Sequence, residues 1–580
     1  MYGLDETRTI CTLSLKLSGV VQGVGMRPYI YNKAIQYNLT GWVKNSGNHV
    51  EVVVQGKEEN IQQFSCALHN HDLALAIVKN IKKKKLSENR SIDSFSILES
   101  EKQINLTHSI KDYAICAKCK KELLAENNKR FLYPFTSCTD CGPRYAIMNQ
   151  YPLDRKNTSF NAFTPCASCA EEYNKSDNRR FHAQNICCEK CGPHLYSDIS
   201  DKDRYTGIEI IKQCIELLTQ GKIIALKSSS GYKLICDAGN FSVIDQLRKR
   251  KNRAHKPFAV MFPDLDSVKR LTKASENEIR FIAKKENPVL LVNKLPDALP
   301  NNISPYLSTI GACLPGTALE FILLHQFGKP VIYTSGNIAN QPITTNAIQA
   351  EAGLKSIADY FVHHNLKIQQ ANDDSIWHNI DNKLKPLRLG KGYAPLEITL
   401  PHTLKHPIIA LGAQMKNTVA IAWSNRIVIS PHIGDTGDYN NWSRAMDQVE
   451  HLLKLYNVNA ITYLIDSHNG FSSSQWVRQN SLTHKKILHH HAHASAVAAV
   501  MPDSDKNLVF TWDGTGLGEN GQLWGGETFL GKPGNWSRVA SLDPFSLPGA
   551  EAAIKQPWRS AASLLWQCGL NYDIDDDNLK

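Results

Sequence analysis

The sequence of 580 residues contains no run of about 20 apolar residues, so no helix is expected to span a membrane. Its first ten residues, MYGLDETRTI, lack the apolar segment of a secretory signal, which favours a cytoplasmic protein. Low-complexity tracts are also missing, and with 42% hydrophobic and 21% charged residues the composition is that of globular domains. Disorder of the whole chain, collagen and coiled coil are therefore excluded, and about four domains are expected at roughly 150 residues each.

The excess of positive charge is small for this length, because 66 Lys and Arg residues stand against 55 Asp and Glu residues and give +11. Part of this excess is one run, Lys82–Lys85, which is typical of a solvated face or a linker. Fifteen cysteines without an export signal favour metal or thiol chemistry over a disulfide scaffold.

Composition divides the chain into four blocks, which we number one to four: residues 1–97, 105–196, 204–396 and 405–580. Polar stretches at 99–108, 198–206 and 395–406 are the predicted linkers. Nine of the fifteen cysteines lie in block two, strand and helix patterns alternate in block three, and block four is rich in His, Gly and Trp. An α/β multidomain fold is therefore expected.

Block one begins with a strand and a glycine-rich turn that predict an anion site. Apolar and polar residues alternate over Leu13–Leu17, as in a half-buried strand. Ser18–Gly25 is rich in glycine, and Pro28 suits the first position of a following helix. Backbone N–H groups and the helix dipole would then face one point, where Arg27 could bind a phosphate or carboxylate through two hydrogen bonds. The alternative is a plain tight turn.

Block two contains an internal repeat of cysteine pairs. Each copy has two Cys-x-x-Cys pairs separated by eighteen residues, and the copies are offset by 50 residues. The eight cysteines are Cys116, Cys119, Cys138 and Cys141 in the first copy and Cys166, Cys169, Cys188 and Cys191 in the second. Thiolates at this spacing predict two structural zinc ions, each supplying on the order of 10 kcal/mol of folding free energy. Eight reduced cysteines without metal are the alternative.

Further residues of block two bear on these sites. Glu122 and Arg130 share the 50-residue offset with Glu172 and Arg180, as expected if each copy is one structural unit. Cationic side chains close in sequence are expected to offset the charge of the thiolates: Lys118, Lys120, Arg144 and Lys190. Cys187 breaks the repeat and is expected to be a bystander, and the alternative ligands are His182 and His194.

Block three combines a basic cluster with a polar strand end. Gly221–Lys227 has the pattern of a buried strand, and Arg248–Arg253 is strongly basic. A basic cluster is usually a solvated face, and nucleic-acid binding is disfavoured because no aromatic residues are interleaved. Val331–Asn337 is a hydrophobic strand that ends in Thr-Ser-Gly-Asn, where polar groups suit contacts with phosphate.

Block four contains a histidine cluster followed by a strong helix former. His489 and His493 are four residues apart, so they share a helix face and can ligate one metal. Asn507–Trp512 predicts a strand that places Asp513 at its end, followed by glycines at which the backbone could approach phosphate. Two His and one Asp suit zinc or iron, and the alternative is a solvated histidine run.

Two motifs of block one, VQGVGMR and GWVKNS, resemble those of the acylphosphatase family across nearly the whole block. The resemblance implies a ferredoxin-like sandwich in which the loop and Arg27 hold a phosphoryl group and Asn45 orients the attacking water. Met26 stands where that family usually has Phe.

Block three resembles the YrdC family, which binds ATP and makes acyl-adenylates. The resemblance assigns nucleotide binding to a tetrad of residues: Lys251, Arg253, Ser335 and Asn337. Asp373–Ser375 resembles the branch of this family found in hydrogenase maturation. Three segments depart from that branch, namely Ser228–Lys233, Leu314–Glu320 and Leu387–Gly392.

Block four resembles the TsaD-like domain of HypF carbamoyltransferases, which has an actin-like ATPase fold, in Leu411–Thr418, His432–Asp435 and Leu523–Glu527. The resemblance implies a metal held by His489, His493, Asp513 and a later Asp. Only part of the usual domain is recognisable, so the later Asp and the second lobe are expected to be absent. The chain alone is then not expected to carbamoylate a partner at a useful rate.

The order of the four blocks resembles the HypF carbamoyltransferase family of nickel–iron hydrogenase maturation. The resemblance implies that carbamoyl phosphate is hydrolysed, that the carbamate is joined to AMP from magnesium-bound ATP, and that the carbamoyl group passes to the C-terminal cysteine of a HypE partner. Two other functions remain open. One is a threonylcarbamoyl or small-molecule O-carbamoyl transfer enzyme, and the other is a catalytically impaired paralogue that acts as a scaffold.

Overall fold

The computed structural model describes residues 10–46, 49–73, 75–86, 92–100, 109–197, 207–338, 341–501, 504 and 506–570. Most of the predicted linkers 99–108 and 198–206 lie outside these described residues. The chain forms two compact units: the first comprises Met1–Ile409 and Met415–Ala460, and the second comprises Ala410–Gln414 and Ile461–Lys580.

Block one forms an antiparallel sheet covered by two helices. Its elements are β1 (Ile10–Val20), α1 (Met26–Gln36), β2 (Thr40–Ser46), β3 (His49–Lys57), α2 (Glu58–His69), β4 (Ile77–Leu86) and β5 (Phe95–Ile97). The strand order β4-β1-β3-β2-β5 gives the expected ferredoxin-like arrangement. Leu15 and Leu17 are fully buried in its core, which confirms the predicted half-buried strand. The helix α1 begins at Met26, so Pro28 is its third residue and not its first.

Block two has little regular structure. Its two α-helices, α3 (Ala117–Leu123) and α4 (Ala167–Asn174), each begin directly after the first cysteine of a repeat copy. Short 3-10 turns follow at Tyr145–Ile147, Arg155–Asn157 and Ser159–Ala162, and the strand β6 (Leu195–Tyr196) ends the block. A segment with so few ladder hydrogen bonds depends on other sources of stability, which is what a zinc site provides.

Block three forms a large mixed sheet with helices on both faces. Its first elements are α5 (Gly207–Thr219), β7 (Ile224–Ser228), β8 (Gly231–Asp237), α6 (Phe241–Arg250), β9 (Ala259–Met261), α7 (Leu265–Leu271), α8 (Glu276–Ile282) and β10 (Val289–Asn293). They continue with β11 (Thr309–Cys313), α9 (Ala318–Phe327), β12 (Val331–Ser335), α10 (Ala347–Leu354), β13 (Tyr360–His364), β14 (Ile376–Ile380) and β15 (Lys383–Arg388). The strand order is β15-β14-β10-β11-β9-β12-β8-β7-β13-β6.

Successive residues of β7 supply two separate hydrophobic cores, one on each face of this sheet. Ile224 and Leu226 belong to one core and Ala225 to the other. Both faces are covered, which is why the sequence of this strand is continuously apolar and does not alternate.

The first unit ends with a small sheet and a long helix. Its strands are β16 (Leu396–Thr399), β17 (Ile408–Ala410), which reaches the unit boundary, β18 (Ala420–Trp423) and β19 (Arg426–Ile429), followed by α11 (Tyr439–Tyr456). The strand β19 pairs antiparallel with both β16 and β18. Gln448 of α11 accepts a hydrogen bond of 3.0 Å from the buried Tyr145 hydroxyl, so the helix packs against block two.

The second unit carries the histidine cluster. Its elements are β20 (Thr462–Asp466), α12 (Ser472–Gln479), β21 (His484–Ile487), α13 (His489–Ala498), β22 (Asn507–Leu517), β23 (Leu523–Lys532), β24 (Asn535–Ser541), α14 (Glu551–Lys555) and α15 (Pro557–Gln567). The strands β22, β23 and β24 form an antiparallel sheet. Over the described ranges of both units, each helix is too short or too polar to cross a bilayer.

Candidate functional site

The loop between β1 and α1 has the backbone geometry expected of the predicted anion site, which we call the cradle. Gly23 and Gly25 adopt left-handed backbone conformations, with φ of +68° and +79°. Gly25 caps the N-terminus of α1, where unpaired backbone N–H groups and the helix dipole favour an anion.

Arg27 and Asn45, the two predicted catalytic residues of block one, lie together at this loop. Arg27 Nη1 donates to Ser100 Oγ at 3.0 Å, and Asn45 Nδ2 donates to the same hydroxyl at 3.4 Å. Asn45 is only 3% exposed, and its Oδ1 accepts no hydrogen bond within the described part of the chain. The geometry thus leaves a buried acceptor beside the arginine, as required of a group that orients a water.

Block two closes this cradle, which sequence reasoning did not foresee. Its residues Thr139, Arg144 and His182 line a cavity of about 50 Å³ together with Arg27 and Asn45. Burial and the neighbouring Arg27 lower the pKa of His182 to about 4, so this ring is neutral at pH 7.

Arg144 supports the loop. The sequence had led us to expect that Arg144 faces the cysteines, and it does not. Its guanidinium donates to the carbonyl oxygens of Gly23 at 3.1 Å, Gly142 at 2.9 Å and Thr139 at 2.6 Å. No local sequence pattern predicts this role, because Arg144 and the accepting carbonyl of Gly23 are 121 residues apart in the chain.

The eight cysteines converge into two groups of four, as predicted. In the first group the Sγ–Sγ distances are 3.8 Å (Cys116–Cys138), 3.7 Å (Cys138–Cys141) and 3.6 Å (Cys141–Cys119). In the second, Cys188 lies 3.8 Å from both Cys166 and Cys191. Tetrahedral zinc with bonds of about 2.3 Å requires about 3.8 Å between sulfurs, so both groups fit zinc.

The two zinc-finger copies exchange arginines. Arg130 of the first copy donates to Cys169 Sγ at 3.7 Å and to Glu172 Oε2 at 2.6 Å in the second copy. Arg180 of the second copy donates to Cys119 Sγ at 3.8 Å and also to Glu122 of the first. The residues that share the 50-residue offset therefore form one reciprocal arrangement.

The charge of the thiolates is offset chiefly by arginines that sequence proximity did not indicate. Besides Arg130 and Arg180, Arg179 Nη2 donates to Cys119 Sγ at 3.0 Å. Lys120, one of the expected counter-charges, lies over the ring of Phe321. Burial lowers the pKa of its amine, and the charge of Cys116 opposes this.

Three residues that were alternatives or bystanders stay outside the cysteine groups. Cys187 is buried and donates to the carbonyl of Phe135 at 3.6 Å, and burial raises its pKa to about 12. His182 lines the cradle, and His194 accepts a hydrogen bond from Asn365. Neither histidine belongs to a metal-ligand group among the described residues.

The four residues of the predicted nucleotide tetrad also converge, at the ends of α6 and β12. Lys251 Nζ donates to Ser335 O at 2.6 Å and to Asn337 Oδ1 at 3.0 Å. Ser335 Oγ donates to the same Asn337 oxygen at 2.7 Å, and Arg253 Nη1 reaches Thr334 Oγ1 at 3.1 Å. Burial and the cations Arg253 and Lys256 lower the pKa of Lys251 to about 7.

Buried residues in the block-three segments that depart from the YrdC-like pattern form ion pairs or hydrogen bonds with neighbouring side chains. Lys233 is 1% exposed and forms a 2.5 Å ion pair with Asp374. The fully buried Glu320 accepts hydrogen bonds of 2.7 Å from both Ser228 and Tyr333. The buried charges of Lys233 and Glu320 are therefore satisfied, as buried charges must be.

A second cavity lies between blocks two and three. Its walls include Lys227, Ser228 and Lys391 of block three and Ser137 and Pro143 of block two. Pro143 also lines the cradle cavity, so the two cavities adjoin. Burial lowers the pKa of Lys227 to about 8, and its amine donates to the carbonyls of His364 and Leu366.

In the second unit, His489, His493 and Asp513 place their ligand atoms within 4.8 Å of one another. His489 Nε2 lies 3.0 Å from Asp513 Oδ2 and 3.2 Å from His493 Nε2. The donor set of two imidazole nitrogens and one carboxylate fits zinc or iron. Asp513 lies inside β22, at a break in its pairing with β23, and not after the strand as predicted.

Asp466 is a member of this site that sequence reasoning missed. Its Oδ2 accepts from His489 Nδ1 at 2.7 Å, which leaves Nε2 directed at the metal-ligand group. The neighbouring His490 is fully buried, and His491 packs on Phe529, so half of the histidine cluster is structural. Gly412 and Ala413 line a cavity of about 350 Å³ beside His489 and His493.

Family models match nearly all of the chain. Residues 13–97 match the acylphosphatase family, 115–148 and 166–197 match the HypF finger, and 216–390 match the Sua5, YciO and YrdC family described as telomere recombination. Residues 403–500 match the HypF Kae1-like domain, and 509–580 match the second subdomain of the Kae1-like domain of carbamoyltransferases. The expectation that nothing of a second lobe is present is therefore wrong.

Similar proteins cover the chain almost completely. The carbamoyltransferase HypF of Synechocystis is 38% identical over 96% of this chain and 73% of its own length, and the probable carbamoyltransferase HypF of Methanocaldococcus jannaschii is 35% identical over 95% and 73%. A crystal structure of full-length HypF in the phosphate- and nucleotide-bound form superposes with a TM-score of 0.91 at 32% identity, over 97% of this chain and 74% of that chain. HypF of T. kodakarensis superposes with a TM-score of 0.88 at 33% identity, over 98% and 73%. The chain therefore belongs to the HypF carbamoyltransferase family, a family of enzymes, and it carries acylphosphatase, zinc-finger, YrdC-like and Kae1-like domains.

Proposed function

We propose that this chain uses carbamoyl phosphate and ATP to make carbamoyl-AMP, and that it carbamoylates the C-terminal cysteine of a HypE-type partner. The observation that carries the proposal is that the residues for the first two steps lie in one compact unit, in which the cradle cavity adjoins a second cavity between blocks two and three. Arg27 and Asn45 line the first cavity, and Pro143 forms a wall of both. The tetrad lies elsewhere in block three of the same unit. Family membership and the phosphate- and nucleotide-bound form of a similar HypF support the same assignment.

Hydrolysis of carbamoyl phosphate is the first step, at the cradle. The phosphoryl group binds at the N-terminus of α1, where Gly25 caps the helix, and Arg27 neutralises its charge. Asn45 orients a water for attack through its buried Oδ1, which accepts no hydrogen bond from the described residues. Water displaces the carbamate from phosphorus, and phosphate and carbamate are the products.

Adenylation of the carbamate is the second step, at the tetrad. A carbamate oxygen attacks the α-phosphorus of magnesium-bound ATP, and pyrophosphate leaves. Lys251 and Arg253 stabilise the negative charge that develops on the leaving group. Carbamate is labile in water, so its passage from the cradle through the adjoining cavity into block three would limit hydrolysis before it reaches the tetrad.

Transfer of the carbamoyl group to a thiol is the third step, at the second unit. The thiolate of the partner attacks the carbamoyl carbon of carbamoyl-AMP, and AMP leaves. The His489, His493 and Asp513 group would hold zinc or iron, which supplies a Lewis acid for phosphate oxygens or the carbonyl when bound. Asp466 keeps His489 in the tautomer whose Nε2 faces that group. Gly412 lines the same cavity and lets the backbone come close to a nucleotide phosphate.

Carbamoyl-phosphate-dependent exchange of labelled pyrophosphate into ATP tests the first two steps together. The parent chain should support exchange with carbamoyl phosphate and not with threonine plus bicarbonate. Arg27→Ala should abolish phosphate release and the exchange driven by carbamoyl phosphate, and it should leave ATP affinity intact because the tetrad lies in another block. Phosphate release by Arg27→Ala equal to that of the parent would refute the assignment of block one, and exchange with threonine would favour a threonylcarbamoyl enzyme.

Mass spectrometry tests the third step. The sequence alone led us to expect an incomplete domain and no useful transfer, but residues 509–580 match the second subdomain of the Kae1-like domain. A HypE-type partner incubated with the chain, ATP and carbamoyl phosphate should therefore gain one carbamoyl group on its C-terminal peptide. A partner whose terminal Cys is replaced by Ser is the control and should gain none. Formation of carbamoyl-AMP without a carbamoyl adduct on the partner would contradict the proposed transfer. The chain would then be only a carbamoyl-AMP synthase.

A further inference from the structure

Arg27, the cation of the anion cradle, is paired with a carboxylate from the zinc-finger block. Its Nη2 lies 2.8 Å from Asp154 Oδ1, and the two side chains are only 12% and 16% exposed. The two residues are 127 positions apart in the chain. The pair therefore forms only when the finger block packs against the acylphosphatase-like block.

Asp154 is held in place by its surroundings. It precedes the 3-10 turn Arg155–Asn157, and Asn157 N donates to Asp154 O at 2.8 Å. The guanidinium of Arg155 donates to the carbonyls of Gln184 at 3.0 Å and Ile186 at 2.9 Å, which ties the turn to the second zinc-finger copy. The carboxylate is thus presented to Arg27 by an anchored segment and not by a freely moving side chain.

The pairing bears directly on the charge of the cradle. His182, which lines the same cavity, is neutral at pH 7 because burial and Arg27 lower its pKa to about 4. Arg144 directs its guanidinium at three carbonyl oxygens. Arg27 is therefore the cation with which an incoming phosphoryl group would form its main ion pair, and Asp154 already occupies one side of it.

We infer that Asp154 sets the anion affinity of the cradle by competing with the phosphoryl group for Arg27. In the free protein, Asp154 is paired with Arg27. When the phosphoryl group binds, it displaces Asp154 from Arg27. When inorganic phosphate leaves, the pair between Asp154 and Arg27 forms again. Asp154 is thus a specificity-determining residue, contributed by the zinc-finger block, that keeps product phosphate from remaining on the site. The inference rests on the proposed hydrolysis of an acyl phosphate at this cradle.

Calorimetric titration of the zinc-loaded full chain with inorganic phosphate tests this competition. Asp154→Asn keeps the shape of the side chain and removes its charge, so phosphate should bind about tenfold tighter or more, because a like charge next to the bound anion is gone. The KM for carbamoyl phosphate should fall in parallel. Asp154→Glu keeps the charge and should stay within about threefold of the parent.

Matched controls separate this effect from a general change of charge. Asp177→Asn removes the same charge from the same block at a 73% exposed side chain and should leave phosphate affinity unchanged. Zinc content and thermal unfolding establish that each variant is folded, and Asp154→Ser replaces the Asn variant if that one does not fold.

Two results would overturn the inference. Phosphate affinity that is unchanged or weaker in Asp154→Asn would show that Asp154 does not compete for Arg27 and at most orients it. Undiminished phosphate binding by Arg27→Ala would show that the cradle is not the phosphate site, and the proposed first step would fail with it. Loss of binding in Arg27→Ala together with no tightening in Asp154→Asn would refute the competition alone.

Discussion

Nucleotide binding at Lys251 is expected to take up a proton. Burial is the main reason why the pKa of this lysine is lowered from 10.5 to about 7, and Arg253, Lys256 and Lys233 lower it further while Asp373 opposes them. At about pH 8, only about one molecule in ten then carries the proton in the free protein. A bound triphosphate favours the charged amine, so binding should take up about 0.9 proton at this pH.

The same linkage sets the direction of the pH dependence. Because the free protein loses the proton from Lys251 as pH rises above about 7, the affinity for ATP should fall as pH rises further. The expected decrease is about tenfold between about pH 8 and about pH 9, a range in which the terminal phosphate is already ionised. Isothermal titration in two buffers with different ionisation heats, such as HEPES and Tris, gives the number of protons from the difference in binding heat.

Two lysines of the same basic run provide the comparison. Lys251→Met should remove both the proton uptake and the pH dependence and should weaken binding. Lys249→Met is the matched control, because Lys249 is 78% exposed and pairs with Asp245 at 2.8 Å, outside the tetrad. Binding heats that are independent of the buffer in the parent chain, or proton uptake that persists in Lys251→Met, would refute the reasoning.

Three further predictions concern the metal sites. Metal analysis should find about two zinc ions held by the cysteines, and near-zero zinc in a folded chain would contradict this. The variant Cys138→Ser should lose one zinc ion and unfold block two, since each zinc supplies on the order of 10 kcal/mol of folding free energy. Arg180→Met should speed the release of zinc from the first copy, and Arg130→Met from the second, each by about 10- to 100-fold in chelator competition, because each arginine donates to a thiolate of the other copy. Acceleration at the arginine's own copy would disprove the exchange. Asp466→Ala should weaken zinc binding by the second unit about 10- to 100-fold in equilibrium dialysis, because Asp466 orients His489. The zinc affinity of Asp466→Asn should lie between those of the parent and Asp466→Ala. Unaltered affinity in Asp466→Ala would exclude Asp466 as a positioning residue.

Short sequence motifs predicted several groups of side chains that the structure brings together. The spacing of the cysteines brings Cys116 and Cys138 to a sulfur separation of 3.8 Å, and the tetrad residues Lys251 and Asn337 are in hydrogen-bond contact. Local backbone geometry sets the distance within one Cys-x-x-Cys pair, but Cys116 and Cys138 are 22 residues apart and Lys251 and Asn337 are 86 apart, so their contacts depend on the fold. Strand periodicity is local, which is why β1 and β7 overlap the patterns at Leu13–Leu17 and Gly221–Lys227.

Predictions that extended a local pattern by a few residues were less accurate. The helix α1 begins two residues before Pro28, because Gly25 adopts the left-handed conformation that caps it. Asp513 lies within β22 because the strand resumes its pairing with β23 at Gly516. In both cases the boundary depends on a pairing or a turn that composition does not specify.

The sequence by itself predicted which residues would bind zinc, phosphate and nucleotide, and it determined the order in which these segments follow one another. Only the tertiary structure decided which charges meet at each site. Arg144 supports the cradle and not the zinc, Asp154 pairs with Arg27, and Asp466 orients His489. The physical reason is that a charge pair between segments many residues apart forms only when packing removes both groups from water and aligns them, and that packing is a property of the whole fold.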